Sequence, residues 1–152
     1  MIARSGGMRL DELAERAFQL IVHLLLELPR NRRRSGGDLK DLEFLTLAVL
    51  HQQQPMIVGD IQRILGVLPP QMSRLIRSLE GRPAPLVVCQ INPQDKRKID
   101  VFLTPAGEKA LADYQTRQIE SLSEFLRRFA EDDQDDLARL LDKLHGVLDR
   151  GD

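Results

Sequence analysis

The chain has 152 residues, 22 basic and 23 acidic side chains, a net charge of −1 and one cysteine. That length suits one domain with a real core, and a lone cysteine excludes an internal disulfide or a thiolate-rich metal site and fits a reducing cytoplasm. Trp is absent and aromatics make up 4% of the residues, so the core must be aliphatic, which favours helices packed on helices.

Residues 1–7 read as a flexible tail, and the opening MIARSGGMRLDELAERAF turns charged too quickly for a secretory signal. Residues 8–29 read as a helix. Leu10, Leu13, Ala17, Leu20, Leu24 and Leu28 form one stripe, and Phe18, Val22, Leu25 and Leu26 a second. A helix apolar on two faces needs neighbours on both, from its own chain or another. Its most apolar run, LIVHLLLEL, is short and carries His23 and Glu27, which argues against a membrane span. PRNRRRSGGD (29–38) breaks the helix; Arg30, Arg32, Arg33 and Arg34 read as a solvated linker, with phosphate contact as the alternative. Asp38 can cap a second helix running to about Gln53, with Leu42, Leu45, Val49 and Leu50 buried.

VGDIQRILG (58–66) places Val58, Ile61, Ile64 and Leu65 on one face, and Gly66 suits the left-handed residue that ends a helix. The next helix begins at Pro69, where a missing N–H costs nothing and φ is already helical. Met72, Leu75, Ile76 and Leu79 recur at i, i+3, i+4 and i+7 and predict the buried face. Gln71, Arg74, Arg77 and Ser78 lie on the other side. Short helix, Gly turn and second helix is the order of a helix-turn-helix. Pro69 and Pro70 leave this helix end with fewer N–H groups to offer a phosphate, so side chains must do more.

LVVCQI (86–91) and IDVFL (99–103), the latter with Ile99, Val101 and Leu103 inward, flank the turn-forming, basic NPQDKRK. They predict a β-hairpin with a charged tip. Thr104 caps a helix starting at Pro105 and running to about Phe129. EDDQDD (131–136) opens a last helix with Leu137, Leu140, Leu141, Leu144, Val147 and Leu148 in register. Charge is uneven along the chain. Residues 62–98 carry seven basic side chains (Arg63, Arg74, Arg77, Arg82, Lys96, Arg97, Lys98) against Glu80 and Asp95, a local +5, whereas residues 105–152 carry −5. Such a distribution can orient a protein on a polyanion.

NPQDKRKIDVFLTPAG (92–107) carries a specific resemblance to the MarR family of transcription regulators. There, a wing with an Asp-x-Arg tip leads into a strand ending Leu-Thr-x-x-Gly. The matching positions here are Asp95, Arg97, Leu103, Thr104 and Gly107. GDIQRILGVLPPQMSRLIRSLE (59–80) looks like the family's helix-turn-helix, and the helix layout matches from about residue 10 to 148. The resemblance implies a mainly α fold with a small β-wing: a winged helix-turn-helix over 39–104, flanked by dimerisation helices at 8–29 and 105–148 within a single 8–148 domain. It implies that Gln71, Ser73, Arg74 and Arg77 reach bases and phosphates in the major groove. Arg97, between Lys96 and Lys98, would enter the minor groove, with Asp95 positioning it or pairing with an arginine. Leu68 in place of a polar cap, Pro70 in place of a helix former, and RPAP (82–85) before the wing depart from the family pattern.

The resulting expectation is a homodimeric regulator, a repressor, that binds an inverted repeat of double-stranded DNA and answers to a small-molecule effector. Arg16, His23, His51 and Tyr114 are candidates to line an effector pocket, with core or surface roles as the alternative. His23, His51 and His145 lack ligand spacing, so no metal or cofactor is expected, and no Ser, Cys or carboxylate pair stands in a catalytic setting. Cys89, in an apolar strand run, reads as a packed residue rather than a redox sensor. A winged-helix dimer that binds protein and not DNA is the competing reading; the basic wing tip argues against it.

Overall fold

A computed structural model describes residues 9–27 and 39–150, with the backbone alone at Leu25 and Glu27. The predicted tail 1–7, the 29–38 loop with its arginines, and Asp38 lie outside the described residues. The chain divides into two units, Met1–Asp38 and Leu39–Asp152. In the first, α1 spans Leu10–Glu27, and Leu10, Phe18, Leu20 and Leu26 along it are exposed.

The second unit begins with α2 (Asp41–Gln52), which starts three residues beyond the expected cap. Lys40 occupies the N-cap, and its backbone N–H donates to Glu43 Oε2 at 2.9 Å, so an acid inside the helix performs the capping from the other side. Burial along α2 also differs from a single stripe. Leu50 is buried and Leu42 and Val49 partly so, but Leu45 is exposed, while Glu43, Thr46 and Leu47 are buried. The reason is that α2 packs against several elements at once. They are α3 (Val58–Leu65), α4 (Pro69–Glu80), β3 (Ile99–Leu103) and α5 (Pro105–Leu126).

α3 ends at Gly66, whose φ of 62° is the left-handed conformation its sequence position called for. Val58, Ile61 and Leu65 share the inward stripe. Ile64 lies to one side of it and is exposed, contrary to the sequence expectation. α4 follows with Leu68 as an extended N-cap and Pro69 at its first position, and buries Met72, Leu75, Ile76 and Leu79 as the periodicity requires.

Strand β2 (Val87–Ile91) pairs antiparallel with β3, from Val87 opposite Leu103 to Ile91 opposite Ile99. A two-residue strand that the sequence did not announce, β1 (Met56–Ile57), takes the other edge of β3 and makes the order β1-β3-β2. Along β3, Val101 is buried as expected. Ile99 is exposed, however, and Asp100 is buried, because the hairpin runs past the core at that end and the Asn92 amide holds the Asp100 carboxylate at 2.9 and 3.1 Å. The core is aliphatic, as the composition demanded: Leu39, Leu47, Leu50, Met56, Ile61, Met72, Leu79, Val87, Val101 and Leu111 all belong to it.

Thr104 joins the sheet to α5. Its Oγ1 accepts from the Gly107 N–H at 3.0 Å and donates to the Pro85 carbonyl at 2.6 Å. Gly107 has no room for a side chain, since a Cβ there would lie 2.1 Å from the Leu86 carbonyl oxygen. The Leu-Thr-x-x-Gly sequence is therefore a packing device, seating the first turn of α5 on the strand that opens the wing. α5 stops at Leu126 rather than near Phe129, and α6 (Glu131–Leu148) follows at once. The Gln134 amide bridges the two by donating to the Leu126 and Phe129 carbonyls. α6 has no buried residue; Leu137, Leu140, Leu141, Leu144, Val147 and Leu148 are all exposed.

Candidate nucleic-acid interface

Burying Met72, Leu75, Ile76 and Leu79 turns the opposite side of α4 outward, and Pro70, Ser73, Arg74 and Arg77 form its exposed stripe with Gln71 beside it. Both arginines lie back along the helix: Arg74 Nε donates to the Pro70 carbonyl at 3.4 Å and Arg77 Nε to the Ser73 carbonyl at 3.2 Å. These bonds hold the guanidinium stems against the helix surface and limit the rotamer freedom lost on binding.

The wing is organised from its base. Asn92, clamped to buried Asp100, accepts the N–H groups of Gln94 and Asp95 at its Oδ1, both at 2.9 Å, an Asx turn that starts the loop. Its own N–H donates to the Lys98 carbonyl, and the Lys98 N–H returns to the Asp95 carbonyl, each at 2.9 Å. At the tip, Asp95 Oδ1 accepts from the Arg97 backbone N–H at 3.1 Å and from its Nε at 3.2 Å. The Arg97 backbone bond, then its side chain, hold the Asp95 carboxyl below the usual carboxylate range. Asp95 is thus the acid that positions Arg97. Asn92 and Asp100 carry the tip, and sequence reading missed both; an Asn eight residues before a strand Asp was the sign available.

A groove of about 800 Å³ runs between helices α3 and α4 on one side and the wing on the other. It gathers Arg63, Ser73, Arg77, Arg97 and Lys98, with Asp60 and Glu80 on its walls. Gln71, Arg74, Asp95 and Lys96 lie outside its lining. The local excess of positive charge is smaller than the count suggests. Arg63 pairs with Asp60 at 3.1 Å, and Arg82 turns inward to Glu43 at 2.8 Å. Among the described residues, Arg74, Arg77, Lys96 and Lys98 have no carboxylate partner, so these four and the Asp95-braced Arg97 remain to meet a polyanion.

Glu43 is the unexpected member of this region. It is 2% exposed and accepts from Ser78 Oγ at 2.6 Å, Arg82 Nη2 at 2.8 Å and the Lys40 N–H, tying α2 to the end of α4 and the turn after it. Cys89 lies half-buried in the groove wall. Burial, and then the Glu80 carboxylate, push its thiol above the usual range, the reverse of an activated cysteine.

The effector candidates are spread out. His51 is exposed at the end of α2, its Nδ1 2.8 Å from Glu108 Oε2. Tyr114 stacks on Phe44 with ring centroids 4.3 Å apart and reaches Asp41 at 3.5 Å, at the other end of that helix. Arg16 and His23 are exposed on α1.

Residues 39–99, which hold α2, the helix-turn-helix and most of the wing, match the model of the MarR family. Over this segment the chain is similar to the MarR family. MarR-family proteins are transcription regulators, not enzymes, which accords with a site built of cations on a helix and a hairpin. Solved structures share the fold. A mutant of MepR from S. aureus has a TM-score of 0.69 at 24% identity, over 88% of this chain and 97% of that one. A second MepR mutant, bound to an oligodeoxyribonucleotide, has a TM-score of 0.60 at 23% identity over 89% and 97%. PcaV of Streptomyces coelicolor, in complex with its natural ligand, has a TM-score of 0.58 at 21% identity over the full length of both chains. No curated protein matches the sequence. No helix among the described residues is long and apolar enough to cross a membrane.

Proposed function

We propose that this chain is a MarR-type regulator that binds double-stranded DNA sequence-specifically as a homodimer, with α4 in the major groove and the wing tip at the adjacent minor groove. The observation that carries this reading is the convergence, around one groove, of an outward helix stripe bearing Ser73 and Arg77, with Arg74 on the same stripe outside the lining, and a braced hairpin bearing Arg97 and Lys98. Residues 39–104 would hold the DNA, and 8–29 and 105–148 would pair the subunits. Support for pairing comes from α6, whose entire leucine face is exposed and would cost too much to leave in water. A two-fold dimer reads an inverted repeat, with half-sites about one helical turn apart. Repression, with release by a small molecule for which Arg16, His23, His51 and Tyr114 are candidate contacts, completes the reading; the ligand-bound PcaV structure supports it. Four cations without carboxylate partners weigh against a purely protein-binding winged helix.

The test is a pair of titrations, on a selected operator and on a scrambled duplex, each at several salt concentrations. A guanidinium on the outer stripe can pair with a guanine edge, a contact worth about 1–3 kcal/mol of discrimination, so Arg74→Ala should narrow the gap between the duplexes. Arg97→Ala should weaken both together and reduce the salt slope by roughly one unit. If neither substitution alters binding to any duplex, the protein-binding alternative replaces this reading.

A further inference from the structure

The outward stripe of α4 starts with a residue that cannot make a hydrogen bond to DNA. Pro70 stands at i, Arg74 at i+4 and Arg77 at i+7, all exposed, and the Arg74 Nε bond to the Pro70 carbonyl lays the arginine stem across the proline. Leu68, just before the helix, is 72% exposed and makes no side-chain cap bond. Its carbonyl accepts the Met72 N–H at 3.0 Å, but its side chain serves neither the core nor the helix end. Pro69 and Pro70 also withhold the N–H groups that a helix of this orientation would offer to a phosphate. The leading end of the stripe is apolar where the rest is cationic.

We propose that Leu68 and Pro70 read thymine 5-methyl groups in the major groove, so that the preferred half-site carries thymine beside the guanine contacted by Arg74. The inference rests on the DNA-binding reading above. Thymine's methyl is the apolar group that base edges present in the major groove, and apolar side chains contact it there. Phosphates and base heteroatoms gain nothing from leucine and proline and would lose water to them. Arg74 stands one helical turn beyond Pro70, about 5.4 Å along the axis, which spans one or two base-pair steps of about 3.4 Å. The thymine and the guanine should therefore be neighbours or next-neighbours.

The experiment uses the full-length protein to select duplexes from a random library, then replaces each thymine of the best duplex, one at a time, by deoxyuridine, which lacks only the methyl. Thymine should be enriched beside guanine at a fixed place in each half-site, and deoxyuridine there should weaken binding about fourfold, the effect of one buried methyl-sized group. In Pro70→Ser or Leu68→Ser, confirmed as folded by circular dichroism, that penalty should shrink towards none. Deoxyuridine duplexes bound as tightly as their thymine parents would overturn the inference while leaving DNA binding intact. So would a methyl penalty undiminished in both variants. A protein that binds no duplex at all, or engages only another protein, refutes the DNA-binding reading and takes this inference with it.

Discussion

Arg82 counts towards the positive charge of residues 62–98, yet the structure gives it an internal task, and one substitution separates the two roles. Its guanidinium is 25% exposed and donates at 2.8 Å to a Glu43 carboxylate that is 2% exposed. Arg82→Ala leaves that carboxylate buried with only Ser78 and the Lys40 N–H as donors. Removing one partner of a buried pair costs roughly 3–5 kcal/mol; discounting for the quarter of Arg82 that reaches water, about 2–3 kcal/mol is expected here. With a urea m-value of about 1–3 kcal/mol/M, the unfolding midpoint should fall by roughly 1 M or more. Arg74→Ala and Arg77→Ala, on the open stripe, should each stay within about 0.5 kcal/mol of wild type. The salt dependence of DNA binding should show the opposite order, flattening for Arg74→Ala and Arg77→Ala and keeping its slope for Arg82→Ala. Urea unfolding followed by circular dichroism, beside duplex titrations at several salt concentrations, measures both. An Arg82→Ala protein as stable as wild type but with a reduced salt slope would refute the reasoning and return Arg82 to the DNA surface.

Three further outcomes follow from the geometry. Gly107→Ala would place a Cβ 2.1 Å from the Leu86 carbonyl oxygen and 2.6 Å from Leu103 Cδ1. It should cost about 2–3 kcal/mol or more by thermal unfolding, whereas Gly59→Ala, with open space around it, should not destabilise; equal melting temperatures for the two would contradict this. The raised Cys89 thiol should alkylate slowly with iodoacetamide at neutral pH and faster only above the usual thiol range, and Cys89→Ser should bind DNA as wild type does; rapid modification at neutral pH would show an activated thiol instead. Asp95, depressed by Arg97, should stay ionised below the usual carboxylate range. Its contribution is then fully present above the unfolded-chain value and is lost as pH falls through the depressed folded value. Carboxyl chemical shifts followed by NMR should place its midpoint below that of a free aspartate and show the Arg97 amide signal moving with it; a midpoint at or above the free value would sink this account.

Much of this architecture is written in short-range pattern. The i, i+3, i+4, i+7 spacing of Met72, Leu75, Ile76 and Leu79 sets which side of α4 is buried and hence which side carries Arg74 and Arg77. Gly66, Pro69 and Thr104 mark element ends through their own backbone preferences, and the structure places them at those ends. Each depends on interactions within a turn or two of chain, so the amino-acid order alone determines it. What depended on distant partners could not be read that way. Glu43 looks like a surface acid and Arg82 like a surface base until α2 and the end of α4 meet and bury the pair. Asp100 faces inward because Asn92, eight residues earlier, can satisfy it. β1 is two residues long and exists only because β3 offers an edge. In each case a polar or marginal segment is held by a group outside its own helix or strand. Only the tertiary fold could decide which charges are spent inside and which are left on the surface.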